Sequence, residues 1–237
     1  MKEYVEYCKY CGNEKAYYDT TEEAWIEIDI HKKCKKIAEF EKLSIFDKSS
    51  ASNTFEIAEA CCELEKLYIE NFKKYCRNFQ TAKNEGVGMF FTGNAGTGKT
   101  FYSNCISNEL KKNRNTVLSF NLTGYFSELR QGFDEKEKKI LDAIKTVDIV
   151  IIDDIGNEKL TEWTKEKLFN LVNSIYLHRK PVIFSSNLTG NKLKEHFDMN
   201  GSDKIVDRLL ELCKGFSFSW ESRRVKKGKE KFAKVFD

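Results

Sequence analysis

The sequence is poor in proline and has no long apolar run. Proline occurs once in 237 residues, which, together with many lysines and asparagines, hints at an AT-rich genome. The first residues, from Met1 to Glu6, include no apolar signal core, and no stretch approaches the roughly 20 apolar residues that a membrane span needs. We therefore expect a cytoplasmic location, where the eight cysteines are reduced thiols or metal ligands rather than disulfides.

The sequence also lacks a strong bias of charge. Its 40 basic and 37 acidic side chains leave a formal net charge of +3, and 41% of the residues are hydrophobic. This composition argues against general disorder and supplies enough apolar side chains for a packed core. The length allows one nucleotide-binding domain and a small additional module.

A glycine-rich segment fits every fixed position of the phosphate-binding P-loop pattern. The segment lies between a predicted strand, from Val87 to Thr92, and a predicted helix, from Lys99 to about Lys112. Its residues are Gly93, Asn94, Ala95, Gly96, Thr97, Gly98, Lys99 and Thr100. The glycines allow successive backbone N–H groups to point at phosphate oxygens, while Lys99 reaches the β- and γ-phosphates and Thr100 gives its hydroxyl to Mg²⁺. The pattern predicts binding of ATP or ADP together with Mg²⁺.

An apolar strand further along the chain ends in two carboxylates. The strand runs from Asp148 to Asp153, and Asp154 follows directly. Ligands of open α/β sheets bind at the carboxyl ends of the strands. Asp153 is therefore the predicted partner of Mg²⁺, and Asp154 is the residue that could orient the attacking water.

Apolar, β-branched runs alternate with helical patterns through the rest of the chain. Further strands are predicted from Thr116 to Asn121 and from Pro181 to Ser185. Helices are predicted from Trp163 to His178 and, with apolar residues at three- and four-residue steps, from Glu56 to Gln80. Such alternation is typical of an α/β fold whose parallel sheet is covered by helices on both faces.

Two later segments, taken with the P-loop and the acidic strand end, resemble AAA+ ATPases. The strand that starts at Pro181 leads to Asn187, as in the sensor-1 segment of these enzymes. Lys204 to Leu209 resembles the segment that bears the arginine finger in helicase loaders of the DnaC/DnaI type. The resemblance extends from about Thr54 to Trp220 and implies a P-loop AAA+ core with a five-stranded parallel sheet between helices.

The resemblance also implies catalytic roles. Asn187 would sense the γ-phosphate, and Arg208 would act on ATP held by a neighbouring subunit, so that hydrolysis is slow until the chain assembles as a homo-oligomer. The alternative interpretations are that Asn187 only caps the turn before Leu188 and that Arg208 is an ordinary solvated arginine of a helix. Asp154 stands where many AAA+ proteins carry Glu, which favours slow turnover. Arg223 and Arg224 match the second sensor arginine poorly and are left out of the predicted site.

The amino-terminal part of the chain contains a candidate metal site. Cys8 and Cys11 form a Cys-x-x-Cys pair followed by glycine, and His31 and Cys34 repeat the same spacing. Four such ligands suit tetrahedral Zn²⁺, and a structural metal stabilises so small a module better than its hydrophobic core does. Free structural thiols and a redox pair are the alternatives, although no βαβ pattern surrounds the Cys-x-x-Cys pair.

The chain is therefore predicted to have three parts. Residues 1–46 form a zinc-binding module that docks a partner, residues 47–55 form a linker, and residues 56–237 form the AAA+ ATPase domain. The linker prediction rests on the small and polar residues between Asp47 and Thr54.

The resemblance to loaders of the DnaC/DnaI type implies ATP-dependent loading of a hexameric replicative DNA helicase onto single-stranded DNA during the initiation of replication. Basic residues between Leu122 and Lys139, and in the tail from Ser222 to Lys229, are candidates for contact with the DNA backbone, whereas Tyr125 and Phe126 are expected in the core. Two alternatives remain open: a transposition helper ATPase of the IstB type, and a nucleotide-gated DNA-binding switch with little turnover.

Overall fold

The chain begins with a small antiparallel sheet that the sequence analysis did not predict. Strand β1 (Lys2–Tyr7) pairs with β2 (Glu14–Asp19), and β2 pairs with β3 (Ala24–Glu27). Helix α1 (Lys32–Leu43) follows the sheet. The computed structural model describes residues 1–10, 12–28, 32–45, 48–159, 161–197 and 204–236.

The rest of the chain alternates between helices and strands. After short 3-10 turns at Lys48–Ser52 and Phe55–Ile57, the helices are α2 (Glu63–Arg77), α3 (Phe79–Glu85), α4 (Lys99–Lys112), α5 (Leu122–Thr146), α6 (Glu162–Leu177), α7 (Gly190–Phe197), α8 (Lys204–Leu212) and α9 (Arg223–Phe236). The strands are β4 (Gly88–Gly93), β5 (Val117–Asn121), β6 (Ile149–Ile155), β7 (Val182–Ser186) and β8 (Cys213–Phe218).

Strands β4 to β8 form one parallel sheet in the order β5-β6-β7-β4-β8. Parallel neighbours need crossover connections, which the helices between the strands provide. The order places β7 between β4 and β6, so the ends of these three strands lie next to one another. The predicted fold class, an α/β fold with a five-stranded parallel sheet between helices, is confirmed.

Both faces of this sheet are buried. Successive side chains of a strand point to opposite faces, and in β6 Ile149 and Ile151 pack with Phe72 in the cluster formed with α2 and α4. Val150 and Ile152 belong to the second cluster, on the side of α5, α6 and α8. This two-sided burial explains why the middle of β6 is apolar at every position.

Helix α1 packs on the core although it lies inside the predicted amino-terminal module. Phe40 belongs to the second cluster, and Ile45 forms a parallel bridge with Phe120 of the edge strand β5. Glu41 accepts a hydrogen bond from the Tyr10 hydroxyl at 2.5 Å and pairs with Lys111 of α4 at 3.3 Å. The predicted boundary at residue 46 stays a prediction. Phe40 and Ile45 lie before this boundary and contact core residues that lie after it.

The helix predicted from Glu56 to Gln80 begins later and buries a different face. Helix α2 starts at Glu63, after the 3-10 turn at Phe55–Ile57. Leu64 and Leu67, which belong to the three- and four-residue apolar repeat of the predicted helix, are 39% and 56% exposed. The buried residues of α2 are Glu65, Ile69, Phe72 and Cys76. The predicted apolar stripe was therefore partly wrong, because a carboxylate occupies a core-facing position.

Other elements agree more closely with the sequence. Tyr125 and Phe126 are buried on α5, as expected for core side chains. Strand β8 was not predicted, although the alternation of Phe216 and Phe218 with polar residues was a signal for it. Of the helices in the described part of the chain, none combines the length and the apolar character needed to span a membrane.

Candidate active site

Polar side chains gather at the carboxyl ends of three adjacent strands. Strand β4 leads into the P-loop, β6 contains Asp153 and Asp154 near its end, and Asn187 follows β7 directly. Because β7 lies between β4 and β6, these three strand ends meet. Together with flanking segments they line a cavity of about 930 Å³, a volume that suits a nucleotide.

The P-loop has a backbone conformation that its glycines permit. Gly93, Gly96 and Gly98 have φ angles of 145°, 81° and 102°, a region that residues with a side chain rarely adopt. Gly98 immediately precedes α4, whose first turn therefore has unpaired N–H groups at the cavity. The loop and the helix dipole together form a site for an anion such as phosphate.

Lys99 connects the P-loop to the end of β7. Its Nζ donates to the carbonyl oxygens of Gly93 at 2.7 Å and Asn94 at 2.9 Å, and to Oδ1 of Asn187 at 2.8 Å. Burial lowers the pKa of Lys99, the carboxylates of β6 oppose this, and the positive charge of Arg224 adds to the lowering. The ammonium group thus has only partial charge compensation, which suits it to bind an anionic phosphate.

Asp153 has two hydroxyl partners. Its Oδ2 accepts a hydrogen bond from Thr100 at 2.7 Å, and its Oδ1 accepts one from Ser185 at 2.5 Å. Burial raises the pKa of Asp153, and the two hydrogen bonds act against this rise. The carboxylate and the Thr100 hydroxyl lie side by side at the cavity, which fits the oxygen ligands that Mg²⁺ prefers. Sequence analysis missed the contact of Ser185, although a hydroxyl in a buried strand was a signal.

Asp154 and Asn187 contact each other across the strand ends. Asn187 Nδ2 donates to Asp154 Oδ1 at 3.1 Å, and Asn157 Nδ2 donates to the same oxygen at 2.6 Å. The backbone of Asp154 has a φ of 60°, in the left-handed region. Since the other end of the Asn187 amide accepts from Lys99, the structure brings the predicted residues of the P-loop, β6 and β7 into one connected group.

The remaining wall of the cavity comes from two segments that flank the sheet in the sequence. Asn53, Ile57 and residues 59–61 form one part of it, and Arg223 and Arg224 at the start of α9 form another. The sequence analysis left both arginines out of the site. Two adjacent arginines in a chain with a P-loop were a signal for phosphate binding, but nothing local showed that α9 begins beside that loop.

A known family matches most of this chain. The family model of the IstB-like ATP binding protein matches residues 32–231, a range that contains the P-loop, β6, β7 and the start of α9. This chain belongs to the IstB-like ATP-binding proteins. The matched range begins with α1, which also packs on the core of this IstB-like protein.

Curated relatives of this IstB-like protein include replicative helicase loaders. It is 27% identical over 167 residues to the replicative helicase loader DnaI of Bacillus subtilis (strain 168). This match covers 64% of this chain and 53% of DnaI. It is 25% identical over 175 residues to the replicative helicase loader DnaC of Escherichia coli (strain K12), covering 72% of this chain and 69% of DnaC. The chain thus spans about half the length of DnaI. The resemblance to AAA+ helicase loaders of the DnaC/DnaI type is confirmed.

Solved structures of loaders share the fold of this IstB-like protein. The crystal structure of DnaI superposes with a TM-score of 0.65 and 20% identity, covering 73% of this chain and 95% of that one. The crystal structure of the DnaC helicase loader gives a TM-score of 0.64 at 19% identity, covering 72% and 99%. At this identity the likeness concerns the arrangement of helices and strands.

Arg208 lies away from the cavity of its own chain. On α8 it faces α6, where its Nη1 donates to Oδ1 of Asn173 at 2.7 Å and its guanidinium carbon is 5.4 Å from the ring centre of Phe169 and 5.2 Å from that of Tyr176. The cavity-lining residues of the described chain do not include it. Its action on the ATP of a neighbouring subunit stays a prediction.

The predicted zinc ligands are only partly described. Cys8 and Cys34 are buried, and the N–H of Gly12 donates to the carbonyl oxygen of Cys8 at 2.8 Å in a tight turn with a φ of 70° at Gly12. Such a turn fits a Cys-x-x-Cys-Gly knuckle. Cys11 and His31 lie outside the described residues. Within the described ranges no group of three or more His, Cys, Asp or Glu side chains is placed to hold a metal, and the zinc site stays a prediction.

Proposed function

We propose that this protein is an ATPase that loads a hexameric replicative DNA helicase onto single-stranded DNA during the initiation of replication. The proposal rests on the connected group at the strand ends, in which Asn187 contacts both Lys99 and Asp154 beside the Thr100–Asp153 pair. The relatives DnaI and DnaC, named as replicative helicase loaders, support it.

In the proposed reaction each residue of the group has a separate task. Lys99 and the P-loop amides bind the β- and γ-phosphates, while Thr100 and Asp153 hold Mg²⁺, which neutralises charge on the phosphates. A water oxygen bonds to the γ-phosphorus as Asp154 accepts the water's proton. The bond to the β–γ bridging oxygen breaks, and ADP and phosphate are released. Asn187 holds Asp154 in place.

Hydrolysis in this proposal depends on assembly. Arg208 of one subunit would stabilise the negative charge that develops on the γ-phosphate bound by its neighbour. Arg208 is half-buried against α6 and does not line the cavity of its own chain, so in this proposal it serves the site of a neighbour. Isolated chains would then bind ATP and hydrolyse it slowly.

The amino-terminal module is proposed to dock on the helicase. Its small sheet exposes Tyr4, Tyr7 and Trp25, and exposed aromatic side chains are enriched at protein interfaces. In this proposal residues 1–46 are stabilised by Zn²⁺ on Cys8, Cys11, His31 and Cys34, residues 47–55 link the module to the core, and residues 56–237 bind ATP.

The direct test is helicase loading onto closed circular single-stranded DNA. The protein, the replicative helicase of its host and ATP should together give DNA-bound helicase, and Lys99→Ala should give none. Lys112→Ala, a change of an exposed lysine on the same helix, is the matched control. If no plausible helicase binds the protein or is loaded by it, the proposal is wrong.

Two further measurements test the amino-terminal module. Trp25→Ala should weaken helicase binding and leave ATP affinity unchanged. Metal analysis of the purified protein should find about one Zn²⁺ per chain, which is lost in Cys8→Ser and kept in Cys62→Ser, since Cys62 lies outside the proposed ligand set. Full metal content in Cys8→Ser would contradict the zinc assignment.

Contact with single-stranded DNA is proposed for the tail rather than for α5. In α5, Lys136 pairs with Glu128, Lys139 pairs with Glu135 at 2.8 Å, and the guanidinium of Arg130 lies 5.4 Å from the ring centre of Trp163. Ion pairs and packing reduce the charge that these side chains offer to phosphate. In the tail, Arg223 pairs with Glu65 and Arg224 lines the cavity, so the proposed contact with the DNA backbone falls on the basic residues between Lys226 and Lys229.

A transposition helper ATPase of the IstB type is the second candidate, and the description of the matching family favours it. The two candidates predict different partners. A transposase encoded beside this gene, and ATP-dependent stimulation of that transposase by the purified protein, would favour the helper. Helicase loading without such stimulation would favour the loader.

A further inference from the structure

Glu65 is a buried carboxylate outside the strand-end group. It lies on α2 with none of its surface exposed. Three donors reach it: the N–H of Cys61 at 2.7 Å, the hydroxyl of Tyr102 at 2.7 Å and the guanidinium of Arg223 at 2.5 Å. A buried carboxylate is costly in free energy unless hydrogen bonds and an opposite charge satisfy it, and these contacts supply both.

The three donors come from three elements that border the cavity. Cys61 lines the cavity just before α2, Tyr102 lies on α4 directly after the P-loop, and Arg223 begins α9. Arg223 is 158 positions from Glu65 in the sequence. Glu65 therefore links the segment before α2, helix α4 and the start of α9, which are far apart in the sequence.

Residues 220–224, which we call the strap, lie directly on the P-loop. Trp220 Nε1 donates to the carbonyl oxygen of Thr97 at 2.8 Å, and the N–H of Arg223 donates to that of Gly96 at 2.9 Å. The approach is so close that a Cβ added to Gly96 would lie 2.1 Å from Oγ of Ser222. The position of the strap is therefore coupled to the position of the phosphate-binding backbone.

Arg224 ends the strap at the phosphate end of the cavity. It lines the cavity together with Lys99 and Thr100, and its Cγ would lie 3.4 Å from a Cβ added to Gly96 of the P-loop. A positive charge this close to the P-loop adds positive potential where the terminal phosphate of a nucleotide binds. ATP carries one more negative charge there than ADP, so it gains more from this potential.

We infer that Glu65 is a positioning residue that sets the preference of the site for ATP over ADP. It holds Arg223, and through the strap it holds Arg224 at the phosphate end of the cavity. The inference rests on the proposed function, because it concerns which nucleotide the proposed site prefers.

The experiment compares nucleotide affinities in the full-length protein carrying Glu65→Gln. Glutamine keeps the shape and one acceptor oxygen, which serves either Cys61 or Tyr102 because these donors reach different oxygens of Glu65, and it removes the charge that pairs with Arg223. Calorimetry measures the Kd of Mg-ATP and of Mg-ADP, with the thermal midpoint recorded alongside. We expect the ratio of the ADP Kd to the ATP Kd to fall about tenfold, as for the loss of a charge-assisted hydrogen bond.

Arg224→Ala should lower the same ratio to a similar extent. In the double variant Glu65→Gln/Arg224→Ala the ratio should fall no further than in Arg224→Ala alone, since both changes remove one effect. Additive falls in the double variant would overturn the inference, because Glu65 would then act by a route other than Arg224.

Two other variants separate positioning from folding. Glu63→Gln is the matched control, because it makes the same change on the same helix at a side chain that is 86% exposed. Its ratio should equal that of the wild type. Arg223→Lys keeps the buried carboxylate and the positive charge but loses the planar guanidinium, whose Nη2 donates to both Glu65 and the carbonyl oxygen of Glu59. We expect a smaller fall of the ratio in a stably folded protein.

The outcomes are distinguishable. If Glu65→Gln and Arg223→Lys lower only the thermal midpoint and leave the ratio unchanged, the inference is overturned and Glu65 has a structural role alone. If the wild-type protein binds neither nucleotide, the proposed function fails as well, which calorimetry of the wild type detects before any variant is compared.

Discussion

The two walls of the cavity are built in different ways. The strand-end wall consists of the P-loop, Asp153, Asp154 and Asn187, which lie at or directly after the ends of neighbouring strands of one sheet. The flanking wall consists of residues 53–61 and the strap, which meet through Glu65 and the P-loop. The groups proposed to bind Mg²⁺ or to accept a proton thus lie at the sheet edge, whereas the flanking wall depends on contacts between segments at the two ends of the ATPase domain.

The largest expected effect comes from Arg208, which belongs to neither wall of the cavity. It tests whether the two walls of one chain form the whole site. Arg208→Ala should lower ATP hydrolysis by the assembled protein about 10³-fold, the lower end of the effect of an arginine supplied in trans. Lys99→Ala should also be inactive. Mixtures of the two variants should regain activity, because a Lys99→Ala subunit supplies Arg208 to a neighbour with an intact P-loop. Steady-state hydrolysis over a series of mixing ratios measures this.

The control for this mixture is each variant alone at the same total concentration. If the mixtures stay as inactive as the separate variants, Arg208 acts only through its contacts with Asn173, Phe169 and Tyr176. In that case the cavity of a single chain contains the whole site.

Asp154→Asn separates hydrolysis from binding within the strand-end wall. Asparagine tolerates the left-handed φ of 60° at this position but does not accept a proton. The single-turnover rate should fall about 100-fold, while ATP affinity changes by less than about threefold. Equal rates in the variant and the wild type would instead support a nucleotide-gated switch with little turnover.

Gly96→Ala tests whether the strap of the flanking wall constrains the P-loop of the strand-end wall. The new Cβ would overlap Ser222, and the φ of 81° is unfavourable for alanine, so the strap and the P-loop would have to separate. Affinity for ATP should fall about tenfold, in keeping with the usual cost of overpacking. Gly215→Ala is the matched control, since its Cβ would meet nothing within 4 Å. Normal ATP affinity in Gly96→Ala would show that the strap does not constrain the P-loop.

The smallest expected effect concerns stability without Mg²⁺. Burial raises the pKa of Asp153, so ionisation of this group destabilises the folded state as pH rises through the raised value. At pH 7 the thermal midpoint of Asp153→Asn should therefore exceed that of the wild type by roughly 2–4 °C. The difference should shrink as pH falls through the raised value and vanish below about pH 3, where the aspartate is protonated in both states.

The same variant should lose the Mg²⁺ dependence of ATP binding. Thermal melts at several pH values, with and without Mg²⁺, measure both effects. A lower midpoint in Asp153→Asn at pH 7 would mean that the hydrogen bonds from Thr100 and Ser185 outweigh the cost of burying the charge.

Sequence patterns located the strand-end wall because its signals are local. The glycines of the P-loop and the acids after an apolar run occur within a few residues of the strands that position them. Glu65 was missed for the opposite reason. A glutamate on an amphipathic helix is expected to face solvent, and the apolar repeat of the predicted helix included Leu64 and Leu67 instead. The ion pair with Arg223, which is distant in the sequence, offsets the free-energy cost of burying the carboxylate at that position.

By itself the sequence determined the parallel α/β architecture and the phosphate site, because hydrophobic period and glycine pattern act over short stretches of chain. The five-stranded sheet followed from the resemblance to a family. Only the tertiary structure decided that β7 lies between β4 and β6 and that the strap meets residues 53–61 over the P-loop. The physical reason is that contacts between distant segments depend on which surfaces are buried together, and local spacing does not specify this.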